Sequence, residues 1–115
     1  MSKVVEKLRQ LGCDMDATLE RFLDDEEFYV SCFEQMLDDE SFNMLGEYLD
    51  SHDIKKAFDC AHTIKGLAAN MGLNSLYDII IKIVEPLRAG SDEGLKPVYE
   101  DLLNEKQKYI SLLKE

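Results

Sequence analysis

Apolar side chains recur along most of this chain at spacings of three, four and seven residues, which is the period of one face of an α-helix. The regular stretch nearest the C-terminus comprises Leu95, Val98, Tyr99, Leu102, Tyr109, Ile110 and Leu113. An earlier stretch comprises Leu76, Ile79, Ile80, Ile83, Val84 and Leu87. Each pattern predicts an amphipathic helix, with Asn74 or Ser75 as the N-cap of the earlier one and Pro97 in the first turn of the later one.

The first half of the chain has the same helical period in shorter segments. Residues 24–53 are predicted to form either one long helix or two helices separated around 38–41, and shorter helical pieces are predicted at 4–11 and 18–23. The connections are short and lie near 51–53, 72–74 and 89–94. Short loops between helices of several turns make neighbouring helices antiparallel. The predicted fold class is therefore all-α, an antiparallel up-down four-helix bundle with short N-terminal helical segments, and we expect a single domain over residues 1–115.

The net charge of the chain indicates which classes of binding partner are favoured. Of its 115 residues 24 are acidic and 13 are basic, which gives a formal net charge of -11. Such a surface repels phosphate backbones and anionic lipid headgroups, so binding to nucleic acid or to a membrane surface is disfavoured. Proteins and cations are the partners that this charge favours.

Hydropathy and cysteine content indicate the compartment. No apolar run approaches the roughly 20 residues that a membrane span needs, and the first residues lack the apolar core of a signal peptide. The three cysteines, Cys13, Cys32 and Cys60, form no C-x-x-C pair and fit reduced thiols better than a disulfide framework. We therefore expect a cytoplasmic protein.

The residues with chemical potential lie in the segment "AHTIKGLAANMG", from Ala61 to Gly72. When 54–71 is drawn as a helix, the side that faces the core comprises Ala57, Cys60, Ala61, Ile64, Leu67, Ala68 and Met71. His62 falls on the opposite side. The face of His62 also comprises Lys55, Phe58, Asp59, Lys65, Gly66 and Ala69. His62 is therefore predicted to be exposed.

Three interpretations of His62 stay open from its position alone: a core histidine, a surface histidine without a role, or a nucleophile for phosphoryl transfer. Its neighbours favour the third. Lys65 lies one turn further along the same face and supplies a cation, while Gly66 clears the surface at a cost of about 1 kcal/mol relative to alanine. Near pH 7 an imidazole is largely neutral and keeps one ring nitrogen free to attack phosphorus. Asp59 is a candidate acceptor for the other ring N–H.

The motifs disfavour a metal site and a nucleotide site. Asp59 and His62 form one D-x-x-H pair, whereas a di-iron bundle needs two Glu-x-x-His motifs and two further carboxylates. His52, the other histidine, lies in a predicted loop, and Cys60 faces the core. The chain contains neither G-x-x-x-x-G-K-[ST] nor G-x-G-x-x-G. We therefore expect no metal and no cofactor of its own, so that any phosphoryl group comes from another protein.

At these residues the sequence resembles the histidine-containing phosphotransfer (HPt) family of two-component signalling. The family's motif is roughly A-H-x-[LI]-K-G, followed by small residues and an apolar residue before a final glycine. The matching residues are Ala61, His62, Ile64, Lys65, Gly66, Ala68, Ala69, Met71 and Gly72. A short N-terminal helix followed by four longer helical segments, with the histidine on the second of the four, extends the resemblance over nearly the whole chain.

The resemblance implies a phosphoryl carrier without a nucleotide site of its own. His62 would accept a phosphoryl group from a sensor histidine kinase or from the aspartate of a receiver domain, and would pass it to a response-regulator receiver domain. Lys65 would neutralise the phosphoryl charge, Gly66 would leave room for the partner, and Ala69 would belong to the docking surface. The divalent metal that supports transfer would sit in the receiver domain, and the carrier would be a monomer.

Three further residues share the face of His62. Phe58 is predicted to be an exposed apolar docking contact, whereas Lys55 and Asp59 either tune the choice of partner by charge or are simply solvated. A second hypothesis is an adaptor that binds a receiver domain and relays no phosphate, although the presence of both His62 and Lys65 counts against it. A metal-dependent oxidase or a complete kinase is disfavoured because the required motifs are missing.

Two positions depart from the family pattern. Leu67 stands where a small residue is more common, and its place on the core side predicts an effect on packing only. On the facing helix the family often places Gln or Glu near the histidine, and here the corresponding position is Val84, followed by Glu85 and Pro86. The site therefore either lacks this polar group or gains one through a register shift at the proline.

Overall fold

The computed structural model describes residues 3–114. Seven helices follow one another within that range: α1 (Lys3–Gln10), α2 (Met15–Glu20), α3 (Glu26–Leu37), α4 (Ser41–Asp50), α5 (Ile54–Met71), α6 (Asn74–Arg88) and α7 (Leu95–Ser111). No strand occurs between residues 3 and 114. The predicted all-α class is confirmed.

Helices α4 to α7 form the four-helix bundle. Each packs against the next in the chain, and α4 also meets α7, which closes the ring. The connections between them, at 51–53, 72–73 and 89–94, are short, as an up-down arrangement requires. Helix α3 packs on α5 and α7, while α1 packs on α2 and α3. The predicted bundle with short N-terminal helices is confirmed.

The two alternatives for residues 24–53 are resolved in favour of two helices. Helix α3 ends at Leu37 and α4 begins at Ser41. The carboxylate of Asp39 accepts a hydrogen bond of 2.8 Å from the Ser41 backbone N–H, so it satisfies a donor at the start of α4. The polar run between the two helices thus supplies a hydrogen-bond acceptor where α4 begins.

Two predicted helix starts were wrong. Helix α2 begins at Met15, before the predicted 18–23, because the Asp14 carboxylate accepts a hydrogen bond from the backbone N–H of Ala17. The N-cap of α6 is Leu73, and neither Asn74 nor Ser75 has that role. The Ser75 hydroxyl instead lies between Glu105 and Tyr109 of α7, at 2.5 and 2.7 Å.

The core lies inside the bundle and under α3. Its largest fully buried side chains are Tyr29, Phe33, Phe42, Leu8, Met15, Leu45, Ile64, Leu73, Leu76, Ile80, Ile83 and Leu102. Helix α6 continues past Pro86 to Arg88, and α7 carries Pro97 in its first turn, as predicted. Within residues 3–114 no helix has both the length and the apolar character needed to cross a bilayer.

Both ends of α5 are tied down. At its start the Asp53 carboxylate accepts a hydrogen bond of 3.2 Å from the Lys56 backbone N–H. At its end Gly72 takes the left-handed conformation, with φ of 75°. The Arg21 guanidinium donates to the carbonyl oxygens of Asn70 and Ala69, at 2.8 and 3.2 Å. Helix α5, which carries His62, is therefore anchored at both ends.

Candidate functional site

His62 lies near the middle of α5 and is exposed, whereas the adjacent Ala61 and the nearby Ile64 are fully buried. This is the placement that the helical spacing predicts. Of the residues assigned to the core side, all are buried except Leu67, which is half-buried at the edge of the core. The interpretation of His62 as a core histidine is wrong.

The imidazole of His62 makes no hydrogen bond to any side chain or backbone group among residues 3–114. Asp59, the predicted acceptor for its N–H, is exposed, and its backbone carbonyl accepts a hydrogen bond from the Thr63 hydroxyl at 3.0 Å. Val84 is fully buried, and Glu85 is exposed and pairs with Arg88 at 3.6 Å. The alternative in which α6 lacks a polar partner for His62 is therefore the correct one.

The ring of Phe58, one turn earlier on α5, is an aromatic neighbour of the His62 ring. Their centroids are 5.7 Å apart and the ring planes are inclined by 32°. Phe58 is half-buried and packs against the core, so the prediction of a freely exposed aromatic was wrong. The reason is that its ring lies in the groove between α5 and α6, where a residue of α6 covers part of it.

That residue is Arg88, the last residue of α6, whose guanidinium lies over the Phe58 ring at 5.5 Å from the centroid. The two side chains line a shallow pocket of about 220 Å³ together with Ile54, Lys55 and Leu87. Sequence reasoning missed Arg88. The available signal was its position four residues after Val84, which places it one turn further along the face of α6 that meets α5.

Lys65 and Gly66 lie beside His62 on the exposed face of α5. Lys65 is half-buried, and its ammonium forms no ion pair within the part of the chain that the structure describes. A Cβ atom added at Gly66 would meet no packed group within 4 Å among the described residues. The glycine is therefore not required by the packing of this chain. Lys55, Asp59 and Ala69 are also exposed, so the predicted face is accessible.

The charges around His62 differ from the balance of the whole chain. Three cations, Lys55, Lys65 and Arg88, share this region with Asp59 and Glu85, although the chain as a whole carries a net charge of -11. Lys65, one turn after His62 on the same face, supplies a positive charge that favours the approach of an anionic group such as a phosphoryl group. This arrangement is suited to nucleophilic attack by His62.

The second histidine and the cysteines lie apart from this arrangement. His52 is exposed in the loop before α5, with its Nδ1 atom 2.8 Å from a carboxylate oxygen of Asp92. Cys60 is buried, as predicted, and burial raises the pKa of its thiol. Residues 3–114 contain no group of three or more His, Cys, Asp or Glu side chains placed to hold a metal ion.

Comparison with known proteins identifies the family. Comparisons with curated proteins and with solved structures gave no match. A family model, the Hpt domain, matches residues 17–112, which include the whole bundle and His62. The match covers most of the chain, and Hpt domains carry phosphoryl groups in two-component signalling. This chain therefore belongs to the Hpt domain family and has a phosphotransfer role in two-component signalling.

Proposed function

We propose that this chain is a phosphorelay intermediate that accepts a phosphoryl group on His62 and passes it to a response-regulator receiver domain. The donor is a sensor histidine kinase or the phosphorylated aspartate of another receiver domain. The observation that carries the proposal is the exposure of His62 on a helix that is capped at both ends, beside the Lys65 ammonium, which forms no ion pair within residues 3–114.

The transfer is a displacement at phosphorus. A ring nitrogen of neutral His62 gives its electron pair to phosphorus, forming an N–P bond, while the P–O bond to the donor aspartate breaks and the carboxylate leaves with the bonding pair. The proton on the other ring nitrogen is free to pass to solvent, because no described residue accepts it. Transfer onward reverses these events with the acceptor aspartate as the nucleophile.

The neighbouring residues have separate roles in this proposal. Lys65 neutralises charge that develops on the phosphoryl oxygens, and Gly66 allows the partner to approach the imidazole closely. Lys55, Asp59 and Ala69 contribute to the surface that the receiver domain contacts. The divalent metal belongs to the receiver domain, and the carrier acts as a cytoplasmic monomer.

A phosphotransfer assay tests the proposal. A receiver domain phosphorylated on its aspartate is mixed with wild-type protein, His62→Gln or His52→Gln, and acid-labile phosphate on the carrier is followed with time. Label on the wild type and on His52→Gln, with none on His62→Gln, is the expected result. Label that persists in His62→Gln would show that the acceptor residue is wrong.

The same assay separates the carrier from the adaptor. If no receiver domain labels the wild type although one of them binds it with measurable affinity, the chain is an adaptor and the proposal of a relay is wrong. Binding is measured by calorimetry with the unphosphorylated receiver domain, and the affinity of His62→Gln is compared with that of the wild type.

A further inference from the structure

We propose that Phe58, held in place by Arg88, is a positioning residue that orients the imidazole of His62 for phosphoryl transfer. This inference deepens the proposed function and rests on it for its biological meaning. It also gives Phe58 a different role from the docking contact that its sequence position predicts, because the structure places its ring against the nucleophile and partly within the fold.

The geometry supplies few other constraints on the His62 ring. Its nitrogen atoms have no hydrogen-bond partner among residues 3–114, so no acceptor or donor determines its rotation. Phe58 is the aromatic neighbour, at 5.7 Å between centroids and 32° between planes. Contact with this ring restricts the side-chain rotation of His62, since a histidine on a helix surface otherwise samples several rotamers.

Phe58 can restrain its neighbour only if it is itself restrained. Its half-buried side chain packs against the hydrophobic core, and the Arg88 guanidinium lies over its ring at 5.5 Å, within the usual range of a cation–π contact. Arg88 is in turn paired with Glu85 at 3.6 Å. The contacts thus connect the end of α6, through Phe58, to the exposed imidazole on α5.

Restriction of the ring matters because displacement at phosphorus is sensitive to the direction of attack. A reacting group that is misplaced by about 1 Å can lose roughly 10²-fold in rate. A hydrogen bond to one of its ring nitrogens is one way to hold an imidazole in a single orientation. Among residues 3–114 no group makes such a hydrogen bond to His62, and ring contact with Phe58 supplies the restraint instead.

The test uses a small phosphoryl donor, so that docking of a partner does not enter the measurement. Phosphoramidate reacts with His62 to form an N–P bond while its own P–N bond breaks and ammonia leaves. All proteins carry His52→Gln, which leaves His62 as the single histidine of the chain. The rate of phosphorylation is compared for this parent, Phe58→Leu, Phe58→Tyr and the control Phe28→Leu, whose target is an exposed phenylalanine on α3.

We expect Phe58→Leu to react about tenfold more slowly with phosphoramidate, while Phe58→Tyr and Phe28→Leu react at the parent rate. Phe58→Leu should also shift the proton resonances of the His62 ring, because it removes the ring current of Phe58. The same resonances should stay in place in Phe28→Leu. Thermal unfolding confirms that each variant is folded. A parent rate for Phe58→Leu would overturn the proposal, and a loss seen only with a receiver domain as donor would make Phe58 a docking contact.

A double-mutant cycle tests the part assigned to Arg88. Arg88→Met removes the guanidinium and keeps an unbranched apolar side chain, and we expect it to slow phosphorylation in the parent but to have no further effect in Phe58→Leu. Independent, additive losses would overturn a role for Arg88 through Phe58. Because phosphoramidate replaces the partner, these results do not depend on whether a receiver domain transfers phosphate to this chain.

Discussion

The hydroxyl of Tyr29 donates a hydrogen bond, 2.7 Å long, to the backbone carbonyl oxygen of Met71. Tyr29 is fully buried on α3, and Met71 is the last residue of α5. A carbonyl at the end of a helix has no partner within the helix, so a side chain from outside the bundle satisfies it here. This hydrogen bond therefore links α5, the helix that carries His62, to α3.

We predict that Tyr29→Phe lowers the free energy of unfolding by about 1–3 kcal/mol, because it leaves the Met71 carbonyl buried without its partner. Urea unfolding followed by circular dichroism measures the change. The matched control is Tyr77→Phe, because Tyr77 is half-buried and its hydroxyl makes no hydrogen bond within residues 3–114. Equal losses in the two variants would show that the Tyr29–Met71 bond contributes nothing specific.

Because Tyr29 is buried, we also predict that the protein loses stability at alkaline pH. Burial raises the pKa of Tyr29 above its ordinary value of 10.0, and burial also raises that of Tyr109. Because the unfolded chain then loses these protons first, the two tyrosines leave the stability unchanged below about pH 10 and lower it as pH rises further. Urea unfolding between about pH 8 and 11 checks this, and Tyr29→Phe should flatten the fall. A slope that is the same in wild type and variant would contradict the assignment to Tyr29.

Gly46 on α4 and Tyr99 on α7 approach each other so closely that a Cβ atom at position 46 would force the Tyr99 side chain to shift. A Cβ atom at position 46 would lie 2.6 Å from the Tyr99 hydroxyl oxygen, and that hydroxyl donates to the Phe42 carbonyl at 2.7 Å. We predict that Gly46→Ala destabilises the protein by about 1–3 kcal/mol through overpacking, despite the higher helix propensity of alanine. Thermal unfolding measures this. In a Tyr99→Ala background the same substitution should cost nothing further, and a persistent cost would exclude the clash as its cause.

Gly66→Ala should have the opposite effect on stability and a harmful effect on function. Its Cβ would meet no packed group among residues 3–114 within 4 Å, so the substitution should raise the free energy of unfolding by about 0.5–1 kcal/mol. If Gly66 leaves room for the partner, transfer from a receiver domain slows, while phosphorylation by phosphoramidate keeps the wild-type rate. Both rates are measured on the same preparation. Unchanged transfer from several receiver domains would show that the glycine gives no clearance.

Lys65→Met should slow phosphoryl transfer at least about tenfold and leave the stability nearly unchanged, since the ammonium forms no ion pair in the described part of the chain. Lys82→Met, at an exposed position on α6, is the matched control for the loss of one positive charge. The comparison is made at low and high salt, because a distant charge acts through long-range attraction that salt screens. Equal effects of the two substitutions would remove any specific role of Lys65.

Much of the bundle could be predicted from the period of apolar residues. The bounds of α5 agree with the prediction of 54–71, and the exposure of His62 follows from its angle relative to Ala61 and Ile64. Each of these properties depends on residues within a few turns of one another. They are local consequences of helical geometry and of the need to bury one face.

The surroundings of His62 could not be predicted in the same way. Which residue of α6 lies over Phe58 depends on the rotation and relative height of two packed helices, and a change of one residue in that register would replace Arg88 by another side chain. The position of the N-cap at Leu73 depended likewise on α7. The Ser75 hydroxyl, which the local sequence predicts as a cap, instead forms hydrogen bonds with Glu105 and Tyr109.

The amino-acid sequence alone was therefore sufficient to predict the helices, the face of α5 that carries His62, Lys65 and Gly66, and the family resemblance. The contact of Phe58 with Arg88, the burial of Val84 and the close approach of Tyr99 to Gly46 arose only when the helices packed. Helical periodicity is set by the backbone within one segment, whereas contacts between segments depend on how the side chains of the whole core fill space together.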